Sequence, residues 1–349
     1  MRDVAKYAGG VLLAALLLWW VVRGADPGEV WEQLKAASWS LVALSVLLNL
    51  GHNVFRVWRW RVLLQPVRQG VHFRPMFVAV IVGYMTSWAI PGRLGELVRP
   101  LLLSAREKVP LGPCIGSVVA DRLLDAVTIV TLFAVGTWLT PLEGKAAEYE
   151  TLIRSGSLTM AAMVAVVTGA MLLAASAGGR FETWIERRPR AVRWIARTTV
   201  SVSTGVSALR SPRLVVELAL YSALAWTAIA ASTWFGVRAV GAEVSFGSIL
   251  VILPLLVLGV AVPTPGGAGS YHGAVKLGLM LFGISEVLAV SAGFLMHAVV
   301  VVPVIVLGLI LLWVERISWR DLVSAAGQIR TLGRANTDAT VEQVVEGTP

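Results

Sequence analysis

Two runs of charged residues at helical spacing carry most of the chemistry this chain can do. Arg93, Glu96 and Arg99 recur every third residue, so they occupy neighbouring positions on one helical face. An acid between two guanidiniums can fix both by charge-assisted hydrogen bonds and leave a net positive group for a phosphate. The second run is Asp121, Arg122 and Asp125, in which the carboxylates are four apart and share a face. It reads either as an ion cluster locking one helix to its neighbours, or as an anion-binding arginine beside a proton-carrying carboxylate. The second version rests on burial beside another acid, which raises a carboxylate pKa. A third group combines backbone and side chains: Pro265, Gly266, Gly267 and Gly269, then Tyr271, His272 and Lys276. Glycines let a ligand approach the amides closely, and a histidine titrates near physiological pH. His297 reads as a packing residue, and His52, Asn53, Arg56 and Arg59 read as interface anchors at a helix end. Four widely spaced histidines are a poor metal set. There is no nucleophile–His–acid arrangement and no G-x-x-x-x-G-K-S/T loop, so no catalytic residue, metal or cofactor is expected.

The elements that position these groups belong to a membrane protein. The chain is 56% hydrophobic and 15% charged, its mean hydropathy is +0.75, and its apolar runs approach the roughly 20 residues that a spanning helix requires. Residues 9–22 follow Arg2 and Lys6 like a signal peptide. They carry Trp19 and Trp20 and lead into Arg23-Gly24-Ala25, a poor cleavage site, so a retained first helix is expected. The lone Cys114 excludes an intrachain disulfide and is expected to pack between helices. The net charge of +9 speaks for basic cytoplasmic loops rather than for nucleic acid.

A Pro-Gly break interrupts an apolar stretch twice, at Pro91-Gly92 and at Pro265-Gly266, 174 residues apart. Breaking a helix within lipid strands amides and carbonyls at several kcal/mol each, so such breaks persist where protein or a water-filled cavity receives them. Paired breaks in corresponding positions of two halves point to a transporter's substrate site. Lysine and arginine counts orient the chain: five with no acid in 55–75 and eight in 179–213, against two with three acids in both 23–38 and 139–156. Both termini, 55–75 and 179–213 are therefore expected in the cytoplasm.

The expected fold is an all-α polytopic membrane protein with six spanning helices and two re-entrant hairpins. The helices are placed at about 9–22, 40–64, 113–138, 157–177, 214–236 and 287–313. A single membrane domain covers 1–320, with inverted repeat halves at about 40–138 and 214–313 and hairpins at about 76–104 and 247–283. Residues 180–213 form a basic interfacial segment and 321–349 a polar cytoplasmic tail. The competing reading makes the hairpin arms ordinary spanning helices. Gly278, beyond the second break, is expected to accept a methyl group.

Four motifs in order resemble one known family: Arg56-Val57-Trp58-Arg59-Trp60-Arg61-Val62-Leu63-Leu64, Ile90-Pro91-Gly92-Arg93-Leu94-Gly95-Glu96-Leu97-Val98-Arg99, Asp121-Arg122-Leu123-Leu124-Asp125 and Pro263-Thr264-Pro265-Gly266-Gly267-Ala268-Gly269. They look like the successive motifs of the flippase-like family, also called the lysylphosphatidylglycerol synthase transmembrane region or uncharacterised family 0104. The resemblance covers about residues 8–315 and implies a protein that moves lipids or lipid-linked intermediates between leaflets. Asp121 stands where a Glu is common, and Tyr271-His272 where Arg-Glu often follows the glycines. Aminoacyl-phosphatidylglycerol synthases of the family add a large soluble catalytic domain. About 35 residues follow the last helix here, so synthesis by that route is not expected.

The leading expectation is a flippase or transporter for an anionic phospholipid or lipid-linked intermediate, driven by a gradient or running downhill. The alternatives are a membrane-embedded lipid-modifying enzyme or assembly partner, and a small-solute secondary transporter. The expected surroundings are the bilayer of a bacterial or archaeal cell (inner) membrane, with no nucleic-acid partner and with homo-oligomerisation left open.

Overall fold

The computed structural model describes residues 2–89, 95–142, 144–177, 208 and 211–318. The first break at Pro91-Gly92, Arg93, nearly all of the basic segment 180–213 and the tail 321–349 lie outside these residues. Among the described residues every regular element is helical. In chain order the elements are α1 (Arg2–Val22), α2 (Pro27–Lys35), α3 (Trp39–Leu64), α4 (Phe73–Ala89), α5 (Gly95–Glu107), α6 (Leu111–Leu139), α7 (Lys145–Glu148) and α8 (Glu150–Ala177). They continue as α9 (Pro212–Ala239), α10 (Phe246–Ala261), a 3₁₀ turn (Pro265–Gly267), α11 (Ser270–Leu281) and α12 (Glu286–Val314).

By length and composition α3, α8, α9 and α12 can each cross a membrane, and α1 with α2, bent by 84°, can form a further span. The 29 residues of α6 are long enough to cross as well, but Asp121, Arg122 and Asp125 sit in its first half. α2 was not expected, since 23–38 reads as a polar loop. Its local signal is Asp26-Pro27: the Asp26 carboxylate accepts from the amides of Gly28 at 2.7 Å and Glu29 at 3.0 Å. Proline at the first helical position gives up no bond there.

The helices form two sets with matching order. α9, α10, α11 and α12 begin 173 to 175 residues after α3, α4, α5 and α6 respectively. Packing follows the same exchange: α3 lies against α9, α4 against α12 and α10 against α6, while α5 meets α6 as α11 meets α12. At the α3–α9 crossing the Ser45 hydroxyl donates to the Ser232 carbonyl at 2.7 Å, and the Ser232 hydroxyl donates to the Ser45 carbonyl at 2.8 Å. The apolar interior also divides by half. One core gathers Val57 to Leu64, Met76 to Val80 and the Cys114 side of α6; the other gathers Ile249 to Leu256, α11 and the first half of α12.

The α4–α5 and α10–α11 pairs are tight antiparallel hairpins. In the first, Gly95 lies so close to Gly83 that a methyl group there would fall 1.8 Å from the Gly83 carbonyl oxygen. In the second, Gly259 faces Ser270 and Ala274, and Gly278 faces Ile252. A methyl on Gly278 would come within 2.5 Å of Ile252, so the expected tolerance at that position is corrected: the glycine is part of the hairpin seam. Each hairpin leaves and re-enters the same end of the bundle. Arg74 at the start of α4 and Arg106 at the end of α5 both bind Glu315, at 3.0 and 2.6 Å. At the opposite end Gly247 and Gly283 both abut the 140–144 loop.

Candidate functional site

The tip of the second hairpin meets the end of α4 inside the bundle. Beyond Pro265 the chain turns through positive φ at Gly266 (59°) and Gly267 (66°), a conformation that favours glycine. The Trp88 ring, near the end of α4, lies 2.9 Å from the position a methyl on Gly267 would take. His297 of α12 approaches the Gly266 carbonyl oxygen at 2.7 Å and its ring lies 4.5 Å from that of His272.

Beside this contact is a cavity of about 630 Å³, walled by both halves. One end is charged, with Arg56, Glu96, Arg122 and Asp125; the remainder is largely apolar, including Leu253, Leu256, Val257, Val260, Val300 and Val304. Behind the charged end lies an ion network drawn from three helices of the first half. Asp125 uses all four lone-pair directions: Oδ1 accepts from Arg59 at 2.7 Å and the Trp226 indole at 2.9 Å, and Oδ2 accepts from Arg56 and Arg122, both at 2.9 Å. Asp121 accepts from Arg59 Nε at 2.8 Å and from both terminal nitrogens of Arg99 at 3.3 and 3.4 Å. The Tyr84 ring lies 5.6 to 6.0 Å from the guanidinium carbons of Arg56, Arg99 and Arg122, within cation–π range of each.

Burial sorts these groups into two kinds. Arg59, Arg99 and Asp121 are fully enclosed, whereas the side chains of Arg122 and Glu96 are 38% and 39% exposed and pair with each other at 3.0 Å. Enclosed charges are tolerated because each is paired and hydrogen-bonded, since losing one partner would strand the other at several kcal/mol.

Several expectations are redrawn by this geometry. Glu96 binds Arg122, and the turn of α5 directs Arg99 inward to Asp121 instead of toward Glu96; Arg93 lies outside the described residues. Arg99 and Asp121 belong to the locking network and do not line the cavity. A proton-carrying role does not suit Asp125, whose lone pairs are all taken by donors. In the second hairpin Gly267 and Tyr271 face the cavity. His272 accepts from the Gly269 amide at 3.3 Å and packs edge-on against Phe294 and tilted against His297, and Pro265, Gly266 and Gly269 shape the turn. Lys276 lies apart from the cavity, bound to Glu286 at 2.5 Å and to the Val21 carbonyl at 2.8 Å, under the Trp20 ring.

Arg56 and Arg59 were expected at the membrane interface and are instead central to the network. The signal existed in spacing: two arginines three apart on α3 complement two aspartates four apart on α6. Trp226 and Tyr84 gave no comparable sign, since aromatic residues in apolar helices are ordinary. Among the described residues no group of three or more His, Cys, Asp or Glu side chains is placed to hold a metal.

Comparison with known proteins then fixes the lineage. The family model for the lysylphosphatidylglycerol synthase TM region matches residues 7–308, the stretch that builds both hairpins and the cavity. The chain belongs to this family. A UPF0104 membrane protein of Methanothermobacter thermautotrophicus is 21% identical over 300 residues, 83% of this chain and 87% of that protein. A second UPF0104 membrane protein, MJ1595 of Methanocaldococcus jannaschii, is 28% identical over 99 residues, 27% of this chain and 30% of that one. Glycosyltransferase AglD of Haloferax volcanii is 28% identical over 128 residues, 36% of this chain and 20% of that enzyme. This lipid-named family therefore has an integral membrane member here whose interior holds a charged-to-apolar cavity.

Proposed function

We propose that this protein moves an anionic phospholipid or lipid-linked intermediate between the two leaflets of its membrane. The observation that carries the reading is the cavity between the two halves, beside the Pro265–Gly267 turn, charged at one end and largely apolar along the rest. A headgroup phosphate suits Arg122 and Arg56, whose guanidiniums supply directed donors, and an acyl or prenyl tail suits the Leu253–Val260 wall. In this reading the hairpins are re-entrant, the end bearing Arg74, Arg106 and Glu315 faces the cytoplasm, and the two halves form an inverted repeat. Nothing in the network resembles a nucleophile with its base, so accessibility of the lipid changes and its covalent structure does not.

The test is a leaflet-sided assay in vesicles containing the purified protein and a fluorescent phosphatidylglycerol quenched from outside. Loss of the protected inner-leaflet pool, with unchanged lipid mass, is the expected result. A pool as stable as in protein-free vesicles would sink the proposal. Single cysteines replacing Gln69 and Glu243 should label from opposite sides of the membrane; labelling from one side would remove the topology.

The partial match to a glycosyltransferase favours one second reading, a membrane unit that presents a lipid-linked substrate to an enzyme. In that case the lipid binds the cavity without changing leaflet, and its mass changes only when the enzyme is added.

A further inference from the structure

Three polar atoms beside the cavity are left without partners, His52 Nδ1, Asn53 Oδ1 and Arg56 Nε, and the last two have complementary chemistry. Asn53 is fully buried and Arg56 is 5% exposed, and both line the cavity on the same face of α3. The Asn53 amide nitrogen donates to the carbonyls of Asn49 and Leu50, both at 3.2 Å, which fixes the orientation of the amide. Its Oδ1 is therefore an acceptor, and it has no donor. One turn along, the Arg56 terminal nitrogen is engaged by Asp125 while its Nε donor has no acceptor. Buried groups left in this state are costly, and each is relieved by a ligand of matching polarity.

A bare phosphate oxygen would satisfy Arg56 Nε and leave Asn53 Oδ1 empty. An ammonium would do the reverse, and would enter a cluster in which Arg56, Arg59, Arg99 and Arg122 outnumber Glu96, Asp121 and Asp125 by one charge. A hydroxyl both donates and accepts. Around the same stretch of wall stand His52, Ser232 and Thr233, uncharged groups suited to further hydroxyls, and the Trp226 and Tyr84 rings, which offer flat faces to a polyol.

We propose that the headgroup taken by this cavity is a hydroxyl-bearing phosphodiester, a glycerol, inositol or sugar phosphate, that Asn53 is the residue that distinguishes it from a headgroup lacking hydroxyls, and that the surplus of arginines disfavours one carrying an amine. The inference rests on the lipid-binding reading given above and names its substrate class. Binding of this kind requires the α3 wall to yield by a small rotation at Asn53, so that the headgroup hydroxyl reaches the enclosed Oδ1.

The experiment uses the intact protein in detergent and reads bound lipid by native mass spectrometry. The competing probes are phosphatidylglycerol, phosphatidylinositol, phosphatidylpropanol and lysylphosphatidylglycerol. Phosphatidylpropanol has the same phosphodiester charge and three-carbon headgroup as phosphatidylglycerol but no hydroxyl. The first two lipids are expected to bind at least tenfold tighter than phosphatidylpropanol, with the cationic lysyl lipid weaker than its parent. Asn53→Leu should bring phosphatidylglycerol and phosphatidylpropanol to within about twofold, a change reported by the ratio and so independent of expression level. Equal wild-type binding of phosphatidylglycerol and phosphatidylpropanol overturns the inference, as does a preference that survives Asn53→Leu. If that variant is not recovered folded, the wild-type ranking and the milder Thr233→Val, expected to lower the preference, decide alone. Lipid preference without leaflet exchange would remove the transport reading and leave this inference standing; leaflet exchange without preference would do the opposite.

Discussion

The two halves share a frame and differ in what fills it. Displaced by the 174 residues that separate the two Pro-Gly breaks, the positions of Arg56, Arg59, Arg99, Asp121, Arg122 and Asp125 are occupied by Ala230, Thr233, Gly273, Leu295, Met296 and Val299. Trp60 is matched by Trp234. The first half is therefore held at its centre by ion pairs, whereas the second is held by apolar contact among α10, α11 and α12. Apolar packing is non-directional and indifferent to small displacements of its members, while a buried guanidinium–carboxylate pair is stable in few arrangements. The same helical hairpin can thus be built rigidly or adaptably, and here one chain contains both.

Asp121→Ala should break this comparison most severely. It leaves Arg99 enclosed without its carboxylate and Arg59 with Asp125 alone, a loss of about 3–5 kcal/mol, and should reduce the monodisperse fraction recovered in detergent. A variant as well folded as the wild type would mean that charge does not hold the first half. Arg122→Gln is next. Half exposed at the cavity rim, it should leave folding near normal and weaken anionic lipid binding by about ten- to a hundredfold, the equivalent of a charge-assisted contact at roughly 1.5–3 kcal/mol. Equal loss of folded protein would assign Arg122 to the lock with Arg99. In the second half Lys276→Met should cost about 1–2 kcal/mol, read as a lowered melting temperature, because Glu286 is partly exposed and keeps access to water.

The smallest effect concerns pH. Hydrogen bonds from Arg106, with the charge of Arg74 beside it, hold the Glu315 carboxyl below the usual carboxylate range. A depressed folded-state value means the contribution is fully present above the unfolded-chain pKa of about 4.3 and is lost as pH falls through the lower folded value. Wild type and Glu315→Gln should therefore differ in melting temperature at pH 6–7, by less than about 1 kcal/mol in stability, and converge below about pH 4. A difference that persists in acid would assign the contact to packing.

Much of the frame was legible in the residues. The expected hairpins at about 76–104 and 247–283 begin and end within a few residues of the α4–α5 and α10–α11 pairs, because proline and glycine punctuate a helix wherever they fall. The charged face of α6 was legible for the same kind of reason, since spacing along a helix determines which side chains share a side. The pairing between helices was not. Spacing leaves the rotation of each helix about its axis undetermined, so Arg99 could turn toward Glu96 or Asp121, and Arg59 toward lipid headgroups or α6. Burial chose, because an arginine with two enclosed carboxylates at 2.7 Å needs no water. Lys276 illustrates the converse, a polar residue following a break whose partner is a distant backbone carbonyl that no local pattern announces.

That distant partner has a consequence for how the chain is made. Lys276 and the carbonyl of Val21 are 255 residues apart, and α1 packs chiefly on α11 and the turn before it. At synthesis rates of about 5–20 residues per second, the first helix is complete for roughly 13–50 s before the residue that fastens it exists. During that interval α1 is an apolar helix without its docking surface, available to the insertion machinery and to lipid. A chain interrupted before α11 would leave it in that condition permanently, so α1, made long before its docking surface, is among the last helices to acquire its place.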